Sequence, residues 1–336
     1  MKVFIVTFGC QANEADSEKL AAALEKQGYQ LIDNIQDADL VIINSCSVRE
    51  TAENRVFGLV KNLGKKKIIL TGCMVGSALG ERRRYTIAQL RQRLPTNVEF
   101  KTIADLIGKI KVEPKRSHKT LAYVPIMEGC NHFCSYCVVP YARGKEASRP
   151  LKEIIEEVHC LEKQGYREIL LLGQNVNSYQ PGFAKLLRQL HQIKGLQKIS
   201  FMTANPWDLS DEIIESLTLP KVDRYLHLPV QSGDDQILKK MNRPYTARQY
   251  LDLVHKIRRQ IPDIQIGTDI IVGFPGETEA AFKNTVKMCQ KIGFVKAYIA
   301  KYSPRSGTAA FKLKDKVPPA EKKRRWQALE KLINRK

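Results

Sequence analysis

Residues 129–137 read Gly-Cys-Asn-His-Phe-Cys-Ser-Tyr-Cys, which sets Cys130, Cys134 and Cys137 in the pattern Cys-x3-Cys-x2-Cys directly after a predicted strand. Three thiolates so close on one loop can hold three corners of a cubane iron–sulfur cluster, and without a fourth cysteine nearby one iron keeps an open position for an outside ligand. The alternative is structural zinc, but zinc prefers four ligands in two pairs. Only His132, inside the loop itself, is on hand to complete such a set. Three more cysteines each follow a strand-like run: Phe8-Gly9-Cys10, Asn44-Ser45-Cys46 and Thr71-Gly72-Cys73. The last two of the eight, Cys160 and Cys289, fall inside predicted helices away from strand ends and read as small buried fillers.

The elements that must position these groups alternate between strand and helix. Apolar β-rich runs at residues 2–8, 39–44 and 67–71, with helical periodicity over 13–27, predict a parallel α/β sheet. Right-handed crossovers bring the carboxyl ends of such strands to one edge, so Cys10, Cys46 and Cys73 are expected to converge there. Residues 107–119 turn polar and aperiodic, as a linker does, which sets a boundary near residue 115. Beyond it, strands are predicted at 122–127, 168–172, 198–202, 225–229, 265–271 and 295–301, and helices at 151–164, 183–192, 211–217, 245–259 and 277–291. Six βα units in about 200 residues fall short of the eight strands and ~250 residues of a closed barrel, so a partial (β/α)6 barrel fits. The expected organisation is an α/β domain over 1–114, a partial barrel over 115–311 and a basic amphipathic helix over 312–336, on which Trp326, Leu329 and Ile333 recur at helical spacing.

Composition narrows the setting. Over 336 residues, 55 Lys and Arg against 35 Asp and Glu leave a net charge of +20, which favours a polyanionic partner such as nucleic acid; a solvated basic surface is the alternative. Apolar residues make up 43% of the chain, yet no run approaches the ~20 residues of a membrane-spanning helix. The first eight residues lack the apolar centre and cleavage site of a secretory signal, so a cytoplasmic protein away from the membrane is expected. In that reducing compartment cysteines serve as metal ligands or fillers rather than disulfides.

A Cys-x3-Cys-x2-Cys loop after the first strand of a partial barrel resembles the radical S-adenosylmethionine (radical SAM) enzymes. The run GCNHFCSYCVVPYARGKEASRP (129–150) is similar to the methylthiotransferases among them, in which a flavodoxin-like domain with three further cluster cysteines precedes the barrel; Cys10, Cys46 and Cys73 match those. FGCQANEADSE (8–18), NSCSVRE (44–50), LLGQNVNSY (171–179) and LHLPVQSGDDQILKKMNRPYT (226–246) resemble the branch that modifies isopentenyladenosine beside the tRNA anticodon. Two other branches act on threonylcarbamoyladenosine tRNA and on a ribosomal protein side chain. The former usually lacks the Ser-Val-Arg-Glu run, and the latter usually has Gln-His-Ala where Gln231-Ser232-Gly233 stands here. Ala12, Ser45 and Val75-Gly76-Ser77 depart from the usual residues of the branch without changing a ligand. The family usually continues into a small β-barrel RNA-binding (TRAM) domain, whereas this sequence ends at Lys336 after the basic helix; basic residues at 82–84, 312–316 and 322–325 are expected to compensate in part.

The resemblance implies two 4Fe-4S clusters, one on Cys130, Cys134 and Cys137 and an auxiliary one on Cys10, Cys46 and Cys73. It implies S-adenosylmethionine as both methyl donor and source of a 5′-deoxyadenosyl radical, a tRNA anticodon loop as substrate, a reducing electron donor and a sulfur source. The target base must leave its stack, which a single-stranded loop permits more readily than a duplex. Gly173, Gln174 and Asn175 end the second barrel strand, where a glycine lets backbone groups approach a ligand; the family's methionine moiety binds at this position, and a plain strand-to-helix turn is the alternative. Gln231, Asp269, Gly273 and Tyr302 are placed on the same rim, and Tyr136 beside adenine. The turn at 273–278 lacks a Walker lysine, so a barrel turn is expected there rather than a phosphate cradle. Arg143 and Arg149 are candidates for a carboxylate or RNA phosphate, or for surface salt bridges, and Lys322, Lys323, Arg324 and Arg325 for RNA phosphates, or for a helix face turned to water. His227 reads as a satisfied core histidine.

Overall fold

The computed structural model describes residues 1–335 and divides into two compact units, Met1–His132 with Cys137–Ala147, and Phe133–Tyr136 with Ser148–Lys336. In the first unit β1 (Lys2–Thr7), β2 (Gln30–Leu31), β3 (Leu40–Ser45), β4 (Lys67–Gly72) and β5 (Val98–Phe100) form a parallel sheet in the order β2-β1-β3-β4-β5. Helices α1 (Gln11–Lys26), α2 (Glu50–Leu63), α3 (Cys73–Leu79), α4 (Ile87–Arg91) and α5 (Ile103–Ile107) connect the strands. Every residue of central β3 is buried, as in a parallel strand covered on both faces. Its alternate side chains part between two cores: Val41 and Ile43 pack with Val56 of α2 and Met74 of α3, Leu40 and Ile42 with Leu20 of α1 and Leu106 of α5. Thr7 stands opposite Asn44 and Ser45 opposite Gly72, so β1, β3 and β4 stop level and release their following residues at one edge.

The polar stretch 107–119 is fastened rather than free. Ser117 donates from N and Oγ to Glu18 Oε1 at 2.8 and 2.6 Å, and Arg116 Nη1 lies 3.5 Å from Glu18 Oε2, both side chains being 6% exposed. Glu18 is buried on α1 and draws in these donors, which polar composition alone does not reveal. The first unit therefore runs on past residue 115 through β6 (Leu121–Pro125) and β7 (Met127–Glu128), and regains the chain for α6 (Val139–Ala142).

A short strand, β8 (Ala147–Ser148), leads into the second unit. Here α7 (Leu151–Lys163), α8 (Phe183–His191), α9 (Asp211–Ser216), α10 (Asp235–Lys240), α11 (Ala247–Gln260) and α12 (Glu279–Ile292) alternate with β9 (Glu168–Leu172), β10 (Lys198–Phe201), β11 (Tyr225–His227), β12 (Gln265–Val272) and β13 (Lys296–Lys301). β9 pairs with β10, and β11-β12-β13 form a second sheet, all parallel, with a bridge from Ile199 to Val222 between them. This is an open (β/α) barrel whose strand ends share one rim. On β12 Ile266, Thr268, Ile270 and Val272 are buried, whereas Asp269 and Ile271 are half-buried, so helices cover one face and the barrel interior lies on the other.

The carboxyl-terminal helix α13 (Pro319–Leu329) continues as a π-helical turn, Glu330–Asn334. Its expected apolar stripe docks: Trp326 Nε1 donates to Ile299 O at 3.0 Å, and Leu329 and Ile333 are buried. Lys336 lies outside the described residues. Cys289 is buried and its thiol is pushed up to about 12 by burial, as befits a filler. Cys160 departs from expectation and is exposed, because the buried stripe of α7 is Ile154, Val158 and Leu161 and residue 160 falls off it.

Candidate active site

The level ends of β1, β3 and β4 deliver Cys10, Cys46 and Cys73 to one edge of the first unit. Cys10 is the N-cap of α1; its Sγ donates to Asn13 Oδ1 at 3.5 Å and its backbone N donates to the same oxygen at 3.4 Å. Asn13 is fully buried, and its Nδ2 donates to Asn44 Oδ1 at 3.0 Å and Ser45 O at 3.3 Å while standing 4.0 Å from Cys73 Sγ. One side chain thus touches the first and third cysteines and the strand that carries the second. Cys46 Sγ accepts from Val48 N at 3.4 Å. Cys73 begins α3 after Gly72, whose φ of +80° is a glycine conformation and whose missing β-carbon leaves room for Asn44 Oδ1 and the Ser45 backbone.

Burial pushes the Cys73 thiol up; the Arg143 guanidinium works against that rise, and Cys46 and Cys10 add to it. Arg143 is charged although buried: burial alone would lower its basicity, but Cys73, Asp16, Glu128 and Cys10 together hold it above the ordinary range. Its Nη1 lies 2.7 Å from Asp16 Oδ2, an ion pair off the hydrogen-bonding direction, and 3.1 Å from Glu128 Oε1. Among the described residues no three Cys, His, Asp or Glu side chains close around a single ion. Three soft sulfur donors spread over three strand ends, with a buried cation beside them, suit an anionic iron–sulfur cluster held at one corner by each thiolate.

The loop at 129–137 carries the other set. In the first unit Cys130 N donates to Gly144 O at 3.2 Å, and Cys137 Sγ accepts from Val139 N at 3.4 Å. Arg82 donates to Cys130 O and Asn131 Oδ1, both at 3.3 Å, while Arg84 is buried and paired with Glu53 at 3.1 Å, so both arginines make contacts within this unit. In the second unit Ser135 N donates to Met241 O at 3.0 Å, Asn242 Nδ2 to Phe133 O at 2.8 Å, and Arg243 Nη1 stands 3.7 Å from Cys134 Sγ. Neither Asn13 nor Arg243 was singled out by sequence. The Cys-x2-Asn start of α1 is a capping pattern that points to Asn13.

Gly173, Gln174 and Asn175 follow β9, Gln231 follows β11, Gly273 follows β12 and Tyr302 follows β13, which sets all six on the rim. Tyr136 packs with Tyr302, Phe274 and Ile271 in one cluster. Tyr302 OH donates to Ala310 O at 2.9 Å, and burial pushes its pKa up to about 12, so it stays a neutral donor. The Asn175 side chain is buried in a network with Ser178, Asn205 and Asp208 that fixes the loop after β9. Gln231 holds a left-handed φ of +65°, and its N donates to Asp269 O at 2.8 Å. Asp269 itself sits three residues short of the end of β12, below the rim, with Oδ2 3.1 Å from Nε2 of the buried His227.

The basic residues divide. Arg143 pairs with Asp16 and Glu128, and Arg149 pairs with Glu157 at 2.8 Å. On α13, Arg325 is buried against Glu277 at 2.7 Å, and Glu277 Oε2 also accepts from Gly273 N at 2.6 Å. Lys322 is buried too, donating to Tyr302 O at 3.2 Å and pairing with Asp315. Arg324 is paired with Glu321 and Glu279 on the surface, and Lys323 is exposed. Two of the four cations thus face the rim of the barrel instead of solvent, because the apolar stripe that docks the helix turns them inward.

Residues 124–289 match the Radical SAM superfamily, and residues 2–88 match the Uncharacterized protein family UPF0004. The backbone is similar to radical S-adenosylmethionine methyltransferase TsrM from Kitasatospora setae, with a TM-score of 0.61 at 14% identity over 92% of this chain and 75% of that one, a likeness of fold. A tRNA-2-methylthio-N(6)-dimethylallyladenosine synthase from Clostridium perfringens is 43% identical over all of this chain and 83% of its own length. One from Acetivibrio thermocellus is 44% identical over 98% of this chain and 75% of its own. With both cysteine sets on the elements these matches span, the chain belongs to the radical S-adenosylmethionine methylthiotransferases, in the family of the tRNA-2-methylthio-N(6)-dimethylallyladenosine synthases.

Proposed function

We propose that this enzyme adds a methylthio group to carbon 2 of isopentenyladenosine next to the anticodon of tRNA, in the cytoplasm, drawing electrons from a reducing donor and sulfur from a separate source. The observation that carries the reading is the convergence of Cys10, Cys46 and Cys73 on one sheet edge, a second three-thiol site besides the Cys-x3-Cys-x2-Cys loop. When bound, the two 4Fe-4S clusters and S-adenosylmethionine supply the radical that activates the adenine ring and the methylated sulfur that replaces its hydrogen.

The chain's own residues bind and orient. Cys130, Cys134 and Cys137 hold the radical-generating cluster, and Cys10, Cys46 and Cys73 the auxiliary one. Gly173, Gln174 and Gln231 offer backbone and amide groups to the methionine moiety at the rim, Gly273 makes room beside that rim for the Lys322 side chain, and Tyr136 and Tyr302 wall the site with aromatic surface. Gln231-Ser232-Gly233 and the Ser-Val-Arg-Glu run at 47–50 favour the isopentenyladenosine substrate over the threonylcarbamoyladenosine and ribosomal-protein alternatives. Mass spectrometry of nucleosides from tRNA of a strain with and without this gene tests the assignment. Loss of the methylthio nucleoside with accumulation of isopentenyladenosine is expected; intact tRNA with a lighter ribosomal protein would replace this reading with the other branch.

A further inference from the structure

We propose that Arg143 is the counter-cation of the auxiliary three-cysteine site, a positioning residue that steadies the cluster's sulfur ligands and biases the bound cluster toward its reduced form. The inference rests on the reading of Cys10, Cys46 and Cys73 as cluster ligands.

Arg143 follows α6, six residues after Cys137, and its backbone N donates to Val139 O at 2.9 Å. α6 packs on α3 so closely that a β-carbon on Gly76 would strike Ala142 O, which fixes where the arginine leaves the main chain. The side chain then reaches α1, where Nη1 meets Asp16 at 2.7 Å. α3 begins at Cys73 and α1 is capped by Cys10, so the guanidinium lies at the helix starts that deliver two of the three sulfurs. It is 10% exposed, and among the described residues its Nη2 has no hydrogen-bond partner. A buried donor left without an acceptor is costly, and a thiolate or cluster sulfide at Cys73 supplies one.

A cubane core bearing roughly two positive charges and held by three thiolates is anionic when oxidised and more so after gaining an electron. A fixed cation in a water-poor site favours the more negative state. Asp16 and Glu128 also face the guanidinium and offset part of its field, so the cation and these carboxylates act on the cluster with opposite signs.

That opposition supplies the test. In the full chain carrying Cys130→Ala, Cys134→Ala and Cys137→Ala, the auxiliary cluster is read alone, by iron content and by a redox titration followed by electron paramagnetic resonance. Arg143→Gln should lower the reduced-to-oxidised ratio at a set potential on the order of tenfold, about 59 mV for one electron. Arg143→Lys should stay near the parent, and Asp16→Asn should shift the opposite way. An unchanged potential in Arg143→Gln, or a shift of the same sign in Arg143→Gln and Asp16→Asn, overturns the inference, since a merely structural ion pair would suffer alike from either loss. If Arg143→Gln holds no iron, Asp16→Asn decides alone: a raised potential supports the inference and any other overturns it. Absence of iron from the parent overturns the cluster reading as well, so the two failures are told apart.

Discussion

The pairing of Arg325 with Glu277 is the clearest place to test whether the last helix holds the barrel rim. Arg325 is 5% and Glu277 1% exposed, Nη1 lies 2.7 Å from the carboxylate and also donates to Glu277 O at 2.9 Å, and Gly273 N donates to the same carboxylate. Replacing Arg325 with Leu removes the only cation paired with this buried carboxylate among the described residues, a loss of about 3–5 kcal/mol by the behaviour of broken buried pairs. Its contacts with Glu321 and Glu279, on the surface, add at most about 1 kcal/mol. Burial already raises the Glu277 pKa, opposed by Arg325 and by Gly273 N, and without the arginine it rises further. A carboxyl whose folded pKa lies above its unfolded value contributes stability at low pH and loses it as pH rises through the folded pKa. The deficit of Arg325→Leu should therefore be largest at neutral pH and shrink on acidification. Both tryptophans, Trp207 and Trp326, lie in the second unit, so urea unfolding followed by tryptophan fluorescence reports on that unit. Adding Glu277→Leu should recover much of the loss. A deficit below about 1 kcal/mol at neutral pH, or one independent of pH, would refute the reasoning.

Replacing Cys10, Cys46 and Cys73 with alanine should leave one cluster of the reconstituted pair, and replacing Cys130, Cys134 and Cys137 the other; full iron in either variant by metal analysis removes that set as ligands. The amino-terminal triple variant should still release 5′-deoxyadenosine from S-adenosylmethionine under reducing conditions while forming no methylthio product, both followed by chromatography. Lys323→Glu on the exposed face of α13 should flatten the slope of log tRNA affinity against log salt by about one if Lys323 meets a phosphate, and an identical slope takes that face out of the RNA contact.

Residue spacing made the cysteines legible: strands ending in Cys10, Cys46 and Cys73 need only the right-handed crossover rule to converge. It did not reveal how those sulfurs are surrounded, because Arg143 reaches α1 across the fold and Asn13, placed by the local cap at Cys10, meets Cys73 only once the sheet is folded, and no local pattern records those distant meetings. α10 escaped periodicity because it has only six residues, and its signal is the cap, where Asp234 accepts from Gln236 N and Ile237 N, both at 3.1 Å. The cations of α13 looked alike in sequence, yet the stripe of Trp326, Leu329 and Ile333 sets the rotation of the helix and turns Lys322 and Arg325 inward. Asp269 reads as a rim residue only if its strand ends early; the ladder with β13 continues to Val272 and leaves it inside the barrel.

Glu18 has a consequence for anyone dividing the chain. Composition invites a cut near residue 115, yet Lys115 N, Ser117 and Arg116 all bond back to Glu18, so a fragment ending there would keep a buried acid stripped of its donors. The same stitching couples the fate of residues nearly a hundred positions apart. Neutralising either Glu18 or Arg116 breaks an ion pair whose side chains are both 6% exposed, so a lineage changes the two more readily in concert than singly.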